Sequence, residues 1–461
     1  MRLDADDGSL LSGRVCDVAL VNRTAGYEGH VAHSTPDSAA TSQLATARRL
    51  TDVGLGIAER LSSLEAIAGV LDSPARSGPD EWVPSHLGNG LAGIGLLHVE
   101  CAASTGDDAH LGAALTMLRS ATDYSRVAPF QRIGFLGGAS GFAFVLDRFA
   151  DLDPRLRRSA ERFRNRLVDD ILGMLLPYGD PWMREADFDL VSGAAGALGY
   201  LVWAGDRSAP ALLAADRLVA YLSWHFEGAT LDSRAAALPA LSFAGSPYAE
   251  RFPDGVLNPG LAHGLAGALR ALGAAWAVWG DPRARHALDR AARDLARAYE
   301  DAGAGPHGPI AFAPSGGHVF HRPIVDPVRA ATWCSGVTGV ALALADCARS
   351  TGDPRFDALS RVLEPAPRDP AADGPLPGGL CHGSWGTALA AHYLSVHRDG
   401  RQARDMGIEG DPDVASPAFL DGDPAALVAA DPSFLTGAAG IGLAAMALAS
   451  PGKPDWARLL F

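Results

Sequence analysis

The sequence lacks several features that would place it in a common class of protein. It has no run of about 18 uninterrupted apolar residues, so no transmembrane helix is expected. Residues Met1 to Asp7 are acidic and contain no apolar core segment, which argues against a secretory signal. Five cysteines in 461 residues, without regular spacing, do not form a disulfide framework. We therefore expect a cytoplasmic protein with reduced thiols.

The sequence also has fewer basic than acidic residues. The chain has 39 Lys and Arg against 53 Asp and Glu, which gives a formal net charge of −14. This balance argues against nucleic acid or an anionic membrane surface as a partner. It is compatible with a basic peptide, although a solvated acidic surface is the simpler explanation. The hydrophobic content of 48% is enough for a large core.

The most informative feature that is present is a repeated glycine pair. The pattern Gly-x-x-Gly, followed each time by a small, apolar helix, occurs seven times, with first glycines 48, 55, 71, 72, 47 and 54 residues apart. One such pair means nothing, but seven in register indicate an internal repeat. We number the units 1 to 7 by these pairs: Gly90/Gly93, Gly138/Gly141, Gly193/Gly196, Gly264/Gly267, Gly336/Gly339, Gly383/Gly386 and Gly437/Gly440.

The second half of each unit predicts the architecture. Most apolar helices end in a turn and restart at an Asp, which can cap an Arg-rich amphipathic helix such as residues 283–297. The apolar helix should lie inside and the polar one outside. The last repeat is as apolar as the others, so a closed ring is favoured over an open solenoid. We predict an all-α fold, an α/α toroid of seven inner and seven outer helices over residues 41–461. Residues 1–40 should be loosely ordered, and residues 302–327 and 400–433 should be loops.

Equivalent positions of the units should meet on one rim of this ring. Cys334 and Cys381 both lie two residues before a first glycine, at position −2, in adjacent units. His263 and His382 occupy position −1 in units 4 and 6, and Asp189 lies at position −4 in unit 3. We expect these five residues to converge at one end of the central cavity. Two Cys and one His make a soft, three-ligand site that suits Zn²⁺ and leaves a fourth position open.

Three motifs in this frame resemble the signatures of the lanthionine synthetase C-like family, the lanthipeptide cyclases of LanC type. They are Gly-Leu-Ala-His263-Gly, Trp-Cys334-x-Gly-x-x-Gly and Leu-Cys381-His382-Gly, and the resemblance covers about residues 41–461. It implies an α/α toroid, zinc held by Cys334, Cys381 and His382, and catalytic roles for His263 and Asp189. Two positions depart from the family. Ser335 replaces the usual Tyr, and Ala330 stands at the position of the family's Arg, with Arg329 one residue further from the cysteine.

The resemblance implies Michael addition of a peptide Cys thiol to a dehydroalanine or dehydrobutyrine, which forms a lanthionine or methyllanthionine ring. We find no kinase or lyase segment, so the partners should be a dehydrated precursor peptide and a separate dehydratase. One alternative is a zinc-stabilised peptide-binding scaffold without turnover. Another is a transferase that adds a small thiol such as glutathione to dehydroamino acids. A carbohydrate-processing toroid would need two facing carboxylates, and the rim offers only Asp189.

Each candidate residue also has a plain structural interpretation. Cys334 and Cys381 could be ordinary buried thiols, as we expect Cys101 and Cys347 to be. His263 could be a packed rim histidine bonded to backbone, and Asp189 could cap the helix after Gly193. A purely structural metal would result if a further histidine closed the fourth position; the candidates are His307, His318 and His321.

Overall fold

The computed structural model describes residues 38–74, 76–77, 81–178, 184–228, 255–314, 320–364, 378–399, 423–450 and 453–461. The segment predicted to be loosely ordered, residues 1–40, lies outside this description except for the start of the helix Ser38–Arg60. Residues 400–422 of the second predicted loop also lie outside it. Within the described ranges, no helix is both long enough and apolar enough to span a membrane.

Seven largely buried helices form a closed inner ring. Each starts directly after the first glycine of a pair, packs on the next inner helix, and the last packs on the first. The predicted all-α toroid is therefore confirmed. The inner helices are Leu91–Thr105, Ala139–Leu152, Ala194–Ala204, Leu265–Trp279, Val337–Thr351, Ser384–Asp399 and Ala438–Ala449.

Amphipathic helices surround the inner ring. Five of them follow their inner helix along the chain and pack on its outer side: Asp108–Val127, Arg157–Gly173, Ala209–Gly228, Pro282–Asp301 and Pro354–Val362. The helix Ser38–Arg60 packs instead against the inner helix of unit 7. Shorter helices fill the connections: Leu64–Leu71, Pro154–Leu156 (a 3₁₀ turn), Glu185–Phe188, Pro327–Ala330 and Pro424–Ala430. The last helix, Asp455–Leu460, packs on the inner helix of unit 3, and its Leu460 carbonyl accepts a hydrogen bond from Trp333 Nε1.

A glycine followed by an aspartate turns the chain from an inner to an outer helix. Four inner helices end at a glycine with φ between 64° and 75°, the left-handed region that glycine adopts without strain: Gly106, Gly205, Gly280 and Gly352. The next residue is an Asp, and Asp107, Asp281 and Asp353 each accept a hydrogen bond from a backbone N–H two residues on. The predicted aspartate caps are confirmed.

The second glycine of each pair leaves room for a carbonyl group. In all seven units, a Cβ at this glycine would overlap the carbonyl oxygen of the residue six positions earlier, as with Phe135 O at Gly141 and Phe434 O at Gly440. The loop before each inner helix therefore folds tightly over the first turn of that helix. The second glycine of each pair therefore serves packing, and the same close contact recurs in all seven loops.

The prediction that residues 302–327 form a loop is wrong in part. Strands β1 (Ala311–Pro314) and β2 (Phe320–Ile324) form an antiparallel hairpin, and Leu257 exchanges backbone hydrogen bonds with Phe312. Phe312 is fully buried, so a short apolar strand had been concealed by its Gly, Pro and His neighbours. The hairpin ties this insertion to the segment that precedes unit 4. The second predicted loop, residues 400–433, likewise contains the helix Pro424–Ala430.

Candidate active site

A closed circuit of backbone hydrogen bonds joins the loops that precede the inner helices. At position −2 of each unit, a backbone N–H donates to the equivalent carbonyl of the next unit; in unit 3 the donor is shifted by one residue. The bonds are Gly88 N to Leu136 O (2.8 Å), Leu136 N to Val191 O (3.0 Å), Leu190 N to Ala262 O (3.2 Å), Ala262 N to Cys334 O (3.0 Å), Cys334 N to Cys381 O (3.2 Å), Cys381 N to Leu435 O (2.9 Å) and Leu435 N to Gly88 O (2.8 Å).

This circuit defines the rim, which we take as positions −2 and −1 of the seven units. Because each loop leads directly into an inner helix, all seven inner helices present their N-terminal ends to the rim. Helix N-termini carry partial positive charge, which favours thiolates and other anions close to them. The same frame makes Cys334 and Cys381 consecutive members of the circuit, so their side chains start from adjacent points of the rim.

Cys334, Cys381 and His382 form the group that can hold a metal ion. One ligand atom from each lies within 4.8 Å of the others, and Cys381 Sγ is 3.8 Å from His382 Nε2. Both cysteines are buried, whereas His382 is exposed on the rim. Two sulfur donors and one imidazole match the ligand preference of zinc, and the exposed side leaves access for a fourth ligand. Among the described residues no other such group of His, Cys, Asp or Glu occurs, and His307 is not part of this one.

The protonation of the two thiols also fits a cation at this place. A hydrogen bond from Cys381, together with the neighbouring imidazole of His382, holds the pKa of Cys334 well below its ordinary value. The pKa of Cys381 is raised, because it shares its proton with Cys334 and because burial and the Cys334 charge oppose a second thiolate. Without a cation, Cys334 and Cys381 together therefore carry one negative charge. A divalent cation would supply the charge needed to ionise both thiols.

Hydroxyl groups and one arginine surround the sulfur atoms. Cys334 Sγ lies 3.6 Å from Ser335 Oγ and 3.8 Å from Thr332 Oγ1, and the two hydroxyl oxygens are 3.3 Å apart. Ser335 therefore makes a polar contact to the first cysteine. The positive charge of Arg329 lowers the pKa of Cys381, although burial and Cys334 outweigh it. Arg329 therefore acts electrostatically on the metal group, despite its shift in the sequence.

His263 and Asp189 form a hydrogen-bonded pair on the same rim. The imidazole donates from Nδ1 to Asp189 Oδ2 over 2.6 Å; the Asp189 side chain is 1% exposed and that of His263 is 46% exposed. The other oxygen, Oδ1, accepts hydrogen bonds from the backbone N–H groups of Ser192 (2.6 Å) and Gly193 (2.9 Å). Asp189 therefore binds His263 and fixes the loop before the third inner helix at the same time. It does not cap that helix, whose N-cap residue is Gly193 and which has no side-chain cap hydrogen bond, so the interpretation as a helix cap is wrong.

The charge on His263 is set by its surroundings. Burial alone would lower the pKa of His263, but the hydrogen bond and charge of Asp189 prevail, with help from Glu185 and Cys334, and raise it to about 9. The imidazole is therefore protonated at neutral pH. With Nδ1 bonded to Asp189, the half-exposed ring leaves Nε2–H as the proton available to a molecule on the rim.

Glu185 is the site residue that sequence reasoning missed. It lies in the short helix Glu185–Phe188 and acts electrostatically on both His263 and Asp189. Burial raises the pKa of Glu185, and a side-chain hydrogen bond with Asn258 and the charge of His263 only partly oppose this shift. Nothing in the repeat points to Glu185, because it stands eight residues before its glycine pair. A second carboxyl in the sequence Glu-x-x-x-Asp189 was the only available signal.

A cavity of about 560 Å³ occupies the remaining part of the rim. Its wall includes positions −2 and −1 of units 7, 1 and 2, among them Thr436, Asn89 and Gly137, together with Ser192 of unit 3. The metal group and His263 thus occupy the rim of units 4 to 6, and open space occupies the rest. Cys101 and Cys347 are buried in inner helices, and burial raises the pKa of both thiols, as expected for core cysteines.

Comparison with known proteins agrees with this arrangement. A family profile described as lanthionine synthetase C-like protein matches residues 81–461, which includes all seven glycine pairs. A solved structure titled nisin cyclase superposes with a TM-score of 0.62 at 19% sequence identity, and the match covers 86% of this chain and 96% of that one. At this identity the likeness shows a shared fold. No curated protein sequence matches the chain significantly.

Proposed function

The chain belongs to the lanthionine synthetase C-like family, and on this premise we propose that it is a zinc-dependent lanthipeptide cyclase. The reaction is the addition of a peptide Cys thiol to a dehydroalanine or dehydrobutyrine of the same peptide. One S–C bond forms at Cβ, the C=C double bond becomes single, and the thiol proton is replaced by a proton delivered to Cα. No atoms are gained or lost, and the product is a thioether ring.

Cys334, Cys381 and His382 would hold the zinc ion. When bound, such an ion supplies a Lewis-acidic position that keeps a substrate thiol ionised near neutral pH, where a free thiol with a pKa of about 8.5 is mostly protonated. Two thiolates and a neutral imidazole cancel the charge of the ion, which should leave a substrate thiolate more nucleophilic than neutral ligands would. The N-terminal ends of the inner helices favour the negative charges that collect here.

His263 is our candidate for the acid. Attack of the thiolate creates negative charge on the substrate carbonyl and Cα, which a proton must quench. His263 is half exposed and protonated at neutral pH, and Asp189 binds its Nδ1, so Nε2–H remains as the donor. Asp189 positions the ring and does not need to touch the substrate, as is usual for the carboxylate partner of a catalytic histidine.

The observation that carries this proposal is the combination of two separate groups on one rim. A metal group alone would fit a structural site, and a His–Asp pair alone would fit many enzymes. Here the backbone bond from Ala262 N to Cys334 O (3.0 Å) joins the residue before His263 directly to the first metal ligand. Thiolate activation and proton donation can therefore act on one substrate at the same time.

The test uses one precursor peptide in two forms, with its Ser and Thr residues intact or already dehydrated. After incubation, remaining thiols are alkylated and the products are weighed by mass spectrometry. We expect loss of alkylation without any other mass change for the dehydrated peptide only. If zinc-loaded protein protects the thiols of neither form, with several precursors tried, the proposed cyclase activity is refuted and a binding scaffold is favoured. Adding glutathione separates the transferase alternative, because an intermolecular adduct gains the mass of the thiol.

The partners and compartment follow from the same chemistry. We propose that a separate dehydratase supplies the dehydrated peptide, because none of the rim groups described above would activate a hydroxyl group for elimination. Cys101, Cys334, Cys347 and Cys381 are free thiols, which suits a reducing compartment, and we propose the cytoplasm.

A further inference from the structure

The cavity on the rim takes no part in the chemistry proposed above, yet it adjoins the candidate active site on both sides. On one side its wall includes Leu435, whose carbonyl accepts the backbone N–H of Cys381 over 2.9 Å. On the other side its wall includes Ser192, whose backbone N–H donates to Asp189 over 2.6 Å. A peptide held at the active site would therefore have this space beside it.

Two glycines that the repeat does not require help to open the cavity. Position −1 carries a side chain in every unit except unit 2, where it is Gly137, and position −2 does so in every unit except unit 1, where it is Gly88. Both line the cavity. A Cβ added at Gly137 would come no closer than 3.5 Å to its nearest neighbour, Ser192 Oγ, and Gly137 is not among the glycines with positive φ. The fold would accept a side chain at Gly137, so its absence matters for the space it leaves.

The wall of the cavity suits an uncharged, apolar group. Leu136, Val191 and Leu435 are among the lining residues. The ring of Phe130, also in the lining, stacks on that of His86 at a centroid distance of 6.1 Å and an angle of 20°. Burial lowers the pKa of His86, so this imidazole is neutral near pH 7.

Charged groups of the wall are engaged or exposed. The Arg132 guanidinium pairs with Asp187 at 3.3 Å, and Glu81 is exposed. The cavity therefore offers apolar and aromatic contact and no buried charge that would demand a partner.

We propose that this cavity binds an apolar or aromatic side chain of the peptide substrate, close to the reacting Cys and dehydroamino acid, and selects peptides by it. This rests on the proposed function only in taking a dehydrated peptide as the substrate. A volume of about 560 Å³ lies within the usual range of ligand sites and exceeds the need of one aromatic side chain. Gly137 is then a specificity-determining position, because any side chain there would take up part of the space.

The test measures binding rather than turnover. The probes are fluorescein-labelled synthetic peptides with one dehydroalanine and one Cys, identical except that Phe, Ala or Glu stands at one of five scanned positions. Fluorescence anisotropy with zinc-loaded wild-type protein should reveal a position at which Phe binds about tenfold more tightly than Ala, a difference of about 1.4 kcal/mol. Glu should bind no better than Ala there. A wild-type protein without preference at any position would overturn the proposal.

Gly137→Leu should remove the preference for Phe, leaving the Phe and Ala peptides equal within about twofold. The matched control is Gly112→Leu, which adds the same atoms on the exposed side of an outer helix where nothing lies within 4 Å. Phe130→Ala provides a second route, since removing part of the apolar wall should also weaken the Phe peptide. If both Gly137→Leu and Phe130→Ala are folded, by circular dichroism and metal content, and keep the full preference, the cavity is not the binding site.

The outcomes for the two proposals are separable. A preference for Phe that depends on Gly137, without ring formation, would support the cavity and count against the cyclase. Ring formation by a protein whose preference survives both substitutions would support the cyclase and overturn the cavity.

Discussion

The rim carries two different arcs on one backbone frame. In units 4 to 6 the circuit positions hold Ala262, Cys334 and Cys381, and a histidine directly follows the first and the last of these. In units 7, 1 and 2 the same positions hold Leu435, Gly88 and Leu136 around open space. The backbone hydrogen bonds are alike in both arcs, with lengths of 2.8 to 3.2 Å. The backbone circuit therefore does not depend on which side chains stand at its positions. This allows units 4 to 6, the first arc, to carry the proposed chemistry and units 7, 1 and 2, the second arc, to contact the substrate.

Removing a metal ligand should have the largest effect and should act on the first arc alone. Cys381→Ala leaves one thiol and one imidazole, too few for a stable zinc site, so zinc content and ring formation should both be lost. The toroid should remain folded, since the core of packed inner helices does not depend on the metal. Metal analysis and circular dichroism check this. Cys347→Ala, which removes a core thiol, should keep its zinc; undiminished zinc in Cys381→Ala would refute the ligand assignment.

His263→Ala should separate proton transfer from metal binding within the first arc. Loss of one acid typically lowers the rate by about 10²–10⁴-fold. Zinc content and peptide affinity should stay within about twofold of wild type, because His263 does not belong to the metal group. Single-turnover ring formation and anisotropy provide the two readouts. A normal rate would make His263 a structural residue of the rim, and loss of zinc would make it a misassigned ligand.

The pH dependence of ring formation should follow His263. Its pKa is raised to about 9, so the acid form persists through neutral pH and activity should fall on the basic side near pH 9. The stability contributed by the His263–Asp189 pair is likewise full below the ordinary pKa of 6.5 and is lost as pH rises through 9. Asp189→Asn removes the charge that raises this pKa, so the basic limb of the pH–rate profile should move towards neutrality. An unmoved limb would contradict the pairing.

The smallest effects should distinguish a rim glycine of unit 2, Gly137, from a glycine of its repeated pair, Gly141. Gly141→Ala places a methyl group against the carbonyl of Phe135 and should lower the free energy of unfolding by at least about 1–3 kcal/mol. Gly137→Ala meets no atom within 3.5 Å and should be neutral, or stabilising by up to about 1 kcal/mol through the unfolded chain. Thermal or denaturant unfolding of both variants checks the difference. Equal destabilisation would mean that Gly137 is also required by the fold.

The repeat made most of the toroid predictable, for a physical reason. Tight packing of each loop over its helix demands glycine at two fixed positions, and this demand is visible in the sequence at Gly141 or Gly440 without knowledge of the fold. Because the units are equivalent, a position counted from the glycines becomes a place on the rim. The grouping of Cys334, Cys381 and His382 follows from that alone.

Features outside the repeat frame could not be predicted in this way. Glu185 lies in a four-residue helix outside the glycine frame, and its electrostatic influence on His263 depends on how that helix is placed. The strand containing Phe312 is too short and too rich in Gly and Pro neighbours to show a period. The closed circuit itself was not foreseen, since it is made by backbone groups that every residue carries. The cavity depends on two rim positions that carry no side chain, Gly137 and Gly88. A glycine at such a position is noticeable only when the same position is compared across the seven units.

The closed circuit also implies that the order of the units along the chain is partly arbitrary. Its hydrogen bonds pass from Leu435 to Gly88 as they pass between any other neighbours, although this is the one junction that no covalent connection spans. A circular permutant that joins the two ends of this sequence through a linker and opens the chain between units 5 and 6 should trace the same ring. In that protein Cys334 and Cys381 would stand near opposite ends of the polypeptide, and a metal ion held by both cysteines would join those ends.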